Sequence, residues 1–440
     1  VSVVIFNVRC LQLSICILLS ATNLFGGNWA NWRGPDYNGS SNEKDLPVKF
    51  GVAENVHWQA PLPGVGASTP VIFNATVFLT STKVGTDQLF GLCFDRKTGK
   101  EKWQVAIGSG TSDRSSASFA NASAVTDGRL VVFMVSSGEI AGFDYEGNIQ
   151  WQRNIATDYG DFAFLWPFGT SPLLIDGVCY IPVLQRDEVV GGHGSGDMLS
   201  YILALEIKTG KTVFKMNRTS KAKRESLESY TTMMPYQTDN GLQLLLAGGD
   251  RLTGHDLKTG QQIWFWETYN LKKQFNFRLV ASPLVIGKDV LICAPQREPL
   301  FMINGGGKGD ISKRKWKWSL PDKLISSDTC TPALYENNIY LLNGEKKYLM
   351  KLNPKDGAVV WQVPLPGKVR YFTSPTVAED KVYCMNQNGT AVVLSTKDGK
   401  ILNVADMAGD AIDHPIRSSM PVAHGQLFIR TNNMLYCIGK

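Results

Sequence analysis

The sequence predicts an all-β protein: an eight-bladed β-propeller of four-stranded antiparallel blades, closed by an N-terminal strand that completes the last blade. Three observations predict it. A unit of Ser/Thr-Pro, apolar strand, short Gly/Asn/Asp turn, two further strands, Asp, Thr-Gly-Lys and Trp recurs along the chain. The units are about 50 residues long, enough for four short strands, and none can bury both faces of its sheet without neighbours. The two chain ends are truncated in complementary ways. Length alone, 440 residues, would suggest about three domains; the repeat replaces that reading with one.

Residues 1–30 are a different material. The apolar run 11–19, preceded by the single charge of Arg9, is shorter than the ~20 residues a membrane span needs and suits the core of a signal peptide. Residues 1–30 are therefore assigned to a signal peptide and leader, and 31–440 to a single propeller domain. Ser20 and Thr22 favour cleavage after Thr22, and Ala30 marks the latest position. Arg9 and Ile15 stand before Cys10 and Cys16, where a lipoprotein needs a small residue, so export without lipidation is expected. The mature chain is expected in the periplasm or outside the cell, with no transmembrane span.

The clearest repeat opens at Ser68-Thr69-Pro70 and ends at Asp95, Thr98-Gly99-Lys100 and Trp103. Glycine after threonine supplies the left-handed conformation of a tight turn, which the aspartate can cap. Trp58, Trp103, Trp151, Trp264, Trp318 and Trp361 occupy the fourth strands, where a large flat ring can wedge between adjacent sheets. The last copy stops after its third strand, and residues 55–59 are a fourth strand without a blade. Val56–Gln59 is thus expected to pair with Leu435–Ile438 and close the ring.

Composition removes several functions. Hydrophobic residues at 43% and charged residues at 19% describe a chain with ample core. Five His and eight Cys show no CxxC, HxH or HExxH spacing, so no metal site is expected. Neither a P-loop nor a GxGxxG after a strand is present. The net charge of +6 is spread thinly and gives no nucleic-acid footprint. Cys93, Cys179, Cys293, Cys384 and Cys437 lie in apolar runs, and Cys330 precedes a Thr-Pro; buried free thiols are expected.

The Asp-x-x-Thr-Gly-Lys-x-x-Trp ending resembles the tryptophan-docking repeat of pyrroloquinoline-quinone (PQQ) dehydrogenases and of the assembly lipoprotein BamB, over about residues 29–440. Trp32-Arg33-Gly34-Pro35, the Arg224 to Thr232 stretch, Gly248-Gly249-Asp250-Arg251 and Arg417-Ser418-Ser419 are similar to exported PQQ-like repeat proteins of planctomycete-type bacteria. The resemblance implies two alternatives: a PQQ- and calcium-dependent quinoprotein dehydrogenase, or a BamB-like outer-membrane assembly scaffold. The adjacent cysteine pair of many alcohol-oxidising members, a calcium pattern and a CxxCH haem motif are absent from the sequence, and so is a lipobox. An exported, non-catalytic binding propeller without cofactor is therefore the expectation.

In such blades the first strand lines the channel, and its beginning shares a face with the loop between strands two and three. Segments on that face are long here: 108–121, 158–170, 185–200, 217–231, 269–279 and 407–418. Opposite turns such as Asp127-Gly128 and Asp176-Gly177 are short. Long loops on a rigid scaffold are where binding residues gather. The positions just before the first strands nominate Asp161, Trp166, Glu228, Tyr230, Arg278, Asp328, Arg370 and Arg417 as a ligand-binding mouth, with no catalytic residue and no metal ligand. A small anion, a glycan or a peptide of a protein partner would suit both charge signs and the aromatics. The same charges would also serve as mutual pairs in a solvated mouth. Glu225 beside Glu228 suggests a salt-bridged loop, and His255, at a position held elsewhere by Phe94 and Phe143, a packed imidazole.

Overall fold

The computed structural model describes residues 27–111, 117–267, 269–295, 298–321, 325–407 and 414–439. Residues 1–26 of the proposed signal peptide and leader, Cys10 and Cys16 among them, lie outside the described residues. Among the described residues the strands form eight sheets, each built on a four-stranded antiparallel meander, and two of them carry a fifth, parallel two-residue strand, Ser40–Ser41 in blade 7 and Gly309–Asp310 in blade 4. Blade 1 is typical, with strands Val71–Phe73, Thr76–Thr82, Gln88–Asp95 and Glu101–Ser109. Blade 8 takes Val422–Ala423, Gln426–Arg430 and Met434–Ile438 from the end of the chain and Val56–Pro61 from its beginning. Val56 lies opposite Ile438 and Gln59 opposite Tyr436, so the N-terminal strand closes the ring. No described helix is long and apolar enough to cross a membrane.

Middle strands are buried over most of their length because both faces meet neighbouring sheets, as their near-continuous apolar runs require. Phe78 of blade 1 meets Phe133 of blade 2 edge-on at 6.2 Å, and Trp103 stacks on Phe143 at 5.7 Å. Five of the fourth-strand tryptophans reach the next blade through the same bond. Trp58 donates to Arg96 O (2.7 Å), Trp103 to Tyr145 O (3.0 Å) and Trp151 to Ile207 O (2.6 Å). Trp318 donates to Pro354 O (2.9 Å) and Trp361 to Thr396 O (3.1 Å). Trp264 differs: it is fully buried but donates to Gln243 Oε1 of its own blade at 2.8 Å. The third strand of blade 5 is followed by an excursion in which Gly309–Asp310 pairs with the Trp264 strand, so no Thr-Gly turn stands there to receive the ring.

The six described cysteines are free and buried. His255 is buried too, hydrogen-bonded to Gly260 O (2.9 Å) and Thr253 Oγ1 (2.8 Å); burial pulls it down to about 4, so it is neutral near pH 7.

Ahead of the closing strand runs a strap that the repeat does not contain. Trp29, inside the segment assigned to the leader, pairs with Ile72 of blade 1 and is wholly buried. Ala30 O accepts from Thr126 N of blade 2, and Tyr37 OH donates to Leu174 O of blade 3. Asn38 O and Gly39 O accept from Leu334 N and Val377 N of blades 6 and 7. Arg33, buried, donates to Pro332 O (2.9 Å) and Pro375 O (3.2 Å). The strap therefore crosses the axis beside the ends of the first strands that point away from the long loops. Gly39, at φ +78°, leaves the space that the Arg33 guanidinium occupies.

Candidate functional site

The Ser/Thr that opens each repeat meets the axis, and the eight form a closed hydrogen-bonded ring. The N–H of Thr69 donates to Ser123 Oγ, Ser123 to Ser171, Ser171 to Thr232 and Thr232 to Ser282. Ser282 donates to Thr331, Thr331 to Ser374, Ser374 to Ser419, and Ser419 back to Thr69. All eight bonds span 2.9–3.3 Å. Donors otherwise lost at the start of each first strand are thus satisfied by the neighbouring hydroxyl.

Above this ring lies an axial cavity of ≈ 770 Å³. Ring hydroxyls and the strap residue Trp32 line its depth, and the mouth-forming loops line its rim. The cavity is a cup, floored by the strap and facing the long loops. Six of the eight nominated residues line it: Trp166, Tyr230, Arg278, Asp328, Arg370 and Arg417. The other two lie apart. Asp161 is exposed at the rim of a neighbouring pocket. Glu228 is completely buried behind Tyr230, away from the cup.

Glu228 is held by a network. It accepts from Leu165 N (3.0 Å), from Arg186 Nε in a close ion pair, and from Tyr230 OH (2.9 Å). Tyr230 OH in turn accepts from Trp166 N at 3.1 Å. Burial raises the Glu228 carboxyl above its ordinary range against the pull of Arg186. Arg186 also lies 4.0 Å from Glu225, and Glu225 closes on Arg278. Glu225 is indeed in a salt-bridged loop, although its partners come from other loops and not from the lysines beside it.

The cup's charges are unequal. Arg278, Lys368, Arg370 and Arg417 face Asp328 and Glu345. Arg278 is neutralised by Glu225, and Arg370 lies 3.7 Å from Glu345. Arg417 has no carboxylate or hydrogen-bond partner among the described residues, and its Nε is buried without one. It lies over the Phe372 ring at 5.5 Å, and burial lowers its pKa from the ordinary arginine value. A desolvated guanidinium with open donors is a strong carboxylate or phosphate receptor. Trp32, read in the sequence only as part of the Trp-Arg-Gly-Pro stretch, also lines the cup, as do Lys368, Glu345 and Phe372, none of which was nominated from the sequence. The Ser/Thr-Pro recurrence was visible, but not that its hydroxyls join into a ring.

No group of three His, Cys, Asp or Glu converges among the described residues in a way that could hold a metal ion. The carboxylates that line the cup among the described residues are Asp328 and Glu345.

The family model described as outer membrane protein assembly factor BamB matches residues 53–164, 171–363 and 312–436. No curated protein matches. Among solved structures, a europium-containing methanol dehydrogenase is similar with a TM-score of 0.67 at 10% identity, covering 94% of this chain and 98% of that one. BamB from Moraxella catarrhalis gives 0.57 at 12% identity, covering 88% and 99%. The quinohemoprotein alcohol dehydrogenase from Comamonas testosteroni gives 0.61 at 10% identity, covering 94% and 80%. At such identities the likeness is one of fold.

Proposed function

Because the chain belongs to the family described as outer membrane protein assembly factor BamB, we propose a binding role for it and not a catalytic one: an exported propeller that takes an anionic group in its axial cup. The observation that carries this reading is Arg417, a half-buried guanidinium without a hydrogen-bond or carboxylate partner among the described residues, in a cup whose described cations outnumber its described carboxylates. Export rests on the apolar run 11–19 and on the outer-membrane description of the family. The ligand is a small acid or the acidic end of a protein partner.

Thermal melting with citrate, inorganic phosphate and glucose tests the cup. Citrate is expected to raise the melting temperature and glucose to leave it unchanged. Arg417→Ala should abolish the citrate shift while its own melting point stays near that of the parent. No shift with either anion, or a shift indifferent to Arg417→Ala, would sink the reading. The dehydrogenase alternative has the two solved dehydrogenases for support. Dye-linked oxidation of alcohols by protein incubated with PQQ and calcium would establish it.

A further inference from the structure

Beside the cup, on the same face, lies a second cavity of ≈ 440 Å³. The two share Trp166 and Pro167 as a common wall. The second cavity has a different chemistry. The segment 161–168 sends Phe162, Phe164 and Phe168 into it, and Phe119 arrives from the preceding blade. The first three rings pack on one another at 4.9–6.1 Å, and Phe164 continues to Tyr230 at 5.5 Å. At its rim stands Asp161, whose carboxylate has no hydrogen bond or ion pair among the described residues; its backbone N–H is held by Ser195 Oγ at 2.8 Å. Among the described residues, the cup thus offers a cation without a counter-charge, and the side pocket offers phenyl walls with an anion without one.

We propose that this side pocket is a subsite for an aromatic side chain carried by the same ligand that places its acid in the cup, and that the ligand is a short peptide segment. The proposal rests on the anion-binding reading of the cup. Phenyl walls favour an apolar ring and leave a sugar's hydroxyls without partners. Asp161 repels a second acid and accepts from an amine or a backbone N–H. A peptide supplies all three features in one chain: amine, aromatic side chain and carboxylate. The shared Trp166–Pro167 wall lets one extended segment reach both cavities, and the Glu228–Tyr230 network fixes that wall.

The test is calorimetric titration with tripeptides. The probe has a free amine, phenylalanine first and glutamate last; one control replaces the phenylalanine by alanine, another replaces the glutamate by glutamine amide, and a third acetylates the amine. The phenylalanine probe is expected to bind about tenfold tighter than its alanine control, with that preference lost in Phe162→Ala. Asp161→Asn, at an exposed position that the fold does not need, should weaken the free-amine probe severalfold and leave the acetylated one unchanged. If both glutamate peptides bind equally and both need Arg417, the side-pocket proposal falls while the cup stands. If no glutamate peptide binds and citrate gives no melting shift, the cup reading falls and this proposal with it. Equal response of both probes to Asp161→Asn would also overturn it, by removing the amine contact.

Discussion

Glu228 has no exposed surface, and Arg186, Leu165 N and Tyr230 OH converge on it. Removing the carboxylate leaves Arg186 and a backbone N–H without their acceptor. Glu228→Ala should therefore destabilise the protein by about 3–5 kcal/mol, the usual result of breaking one side of a buried pair. Glu228→Gln keeps an acceptor and should lose clearly less; urea denaturation separates the two. Equal losses would mean that the charge, which both variants lose, and not the packing or acceptor that glutamine keeps, holds the loop. Glu228 and Tyr230 were both nominated from their place before a first strand, and that placement was sound for the backbone. Which of them would face the cup was not legible. It is decided by Arg186, which arrives from a loop 42 residues away. Arg417 was legible as a mouth residue for a complementary reason: the Arg-Ser-Ser stretch ends at Ser419, and Ser419 is a fixed member of the axial ring.

The fourth strand and the turn it touches form the repeating structural joint. Gly210 follows Thr209 at φ +66° and lies against the Trp151 ring, so an added methyl would be strained and would meet the indole. Gly210→Ala should lose more than about 1 kcal/mol, since both effects oppose it. Trp264→Ala, at a fully buried ring, should lose about 3–5 kcal/mol; a loss below about 1 kcal/mol in urea denaturation would deny that ring a structural role. This joint was readable because it is written repeatedly along the chain. The strap was not, because it is written once and has no period. It too has a measurable anchor. Glu379 of blade 7 accepts from Asp45 N and Leu46 N, both at 2.8 Å, and from Lys381. Partial burial pushes its carboxyl up, but these hydrogen bonds together outweigh that and hold it at about 2, below the ordinary 4.5. Its contribution to stability is therefore complete above pH 4.5 and is lost as the pH falls through about 2. Melting curves between pH 5 and pH 2 should flatten in Glu379→Gln relative to the parent. An unchanged slope would show that the anchor does not depend on charge.

For the whole molecule, complementary chain ends and a counted repeat were enough to read eight blades and their closure, because sheets that cannot bury themselves must stack into a ring. The site was read as far as the ring's symmetry reaches: equivalent positions in several blades do converge on one mouth. What symmetry could not supply is everything that breaks it, namely the Trp32 floor, the phenyl-lined side pocket and the inequality of charge. The axial hydroxyl ring is the opposite case, a feature in which all blades take part alike. Because Ser419 donates to Thr69 as any blade donates to the next, no blade is first. Gly27 lies against His424, and Gly439 against Gly425, so both flank one hairpin of blade 8. A short linker can therefore join them with the strap retained. Cutting between the exposed Asp239 and Asn240 would then move the seam to blade 4, whose first strand, Met234–Thr238, would be contributed by the new C-terminus. Such a circular permutant should fold to the same propeller and keep the same citrate response, as rearrangements at exposed turns generally allow. A permutant that fails to fold would mean that the order in which blades leave the ribosome matters, and not only the ring they complete.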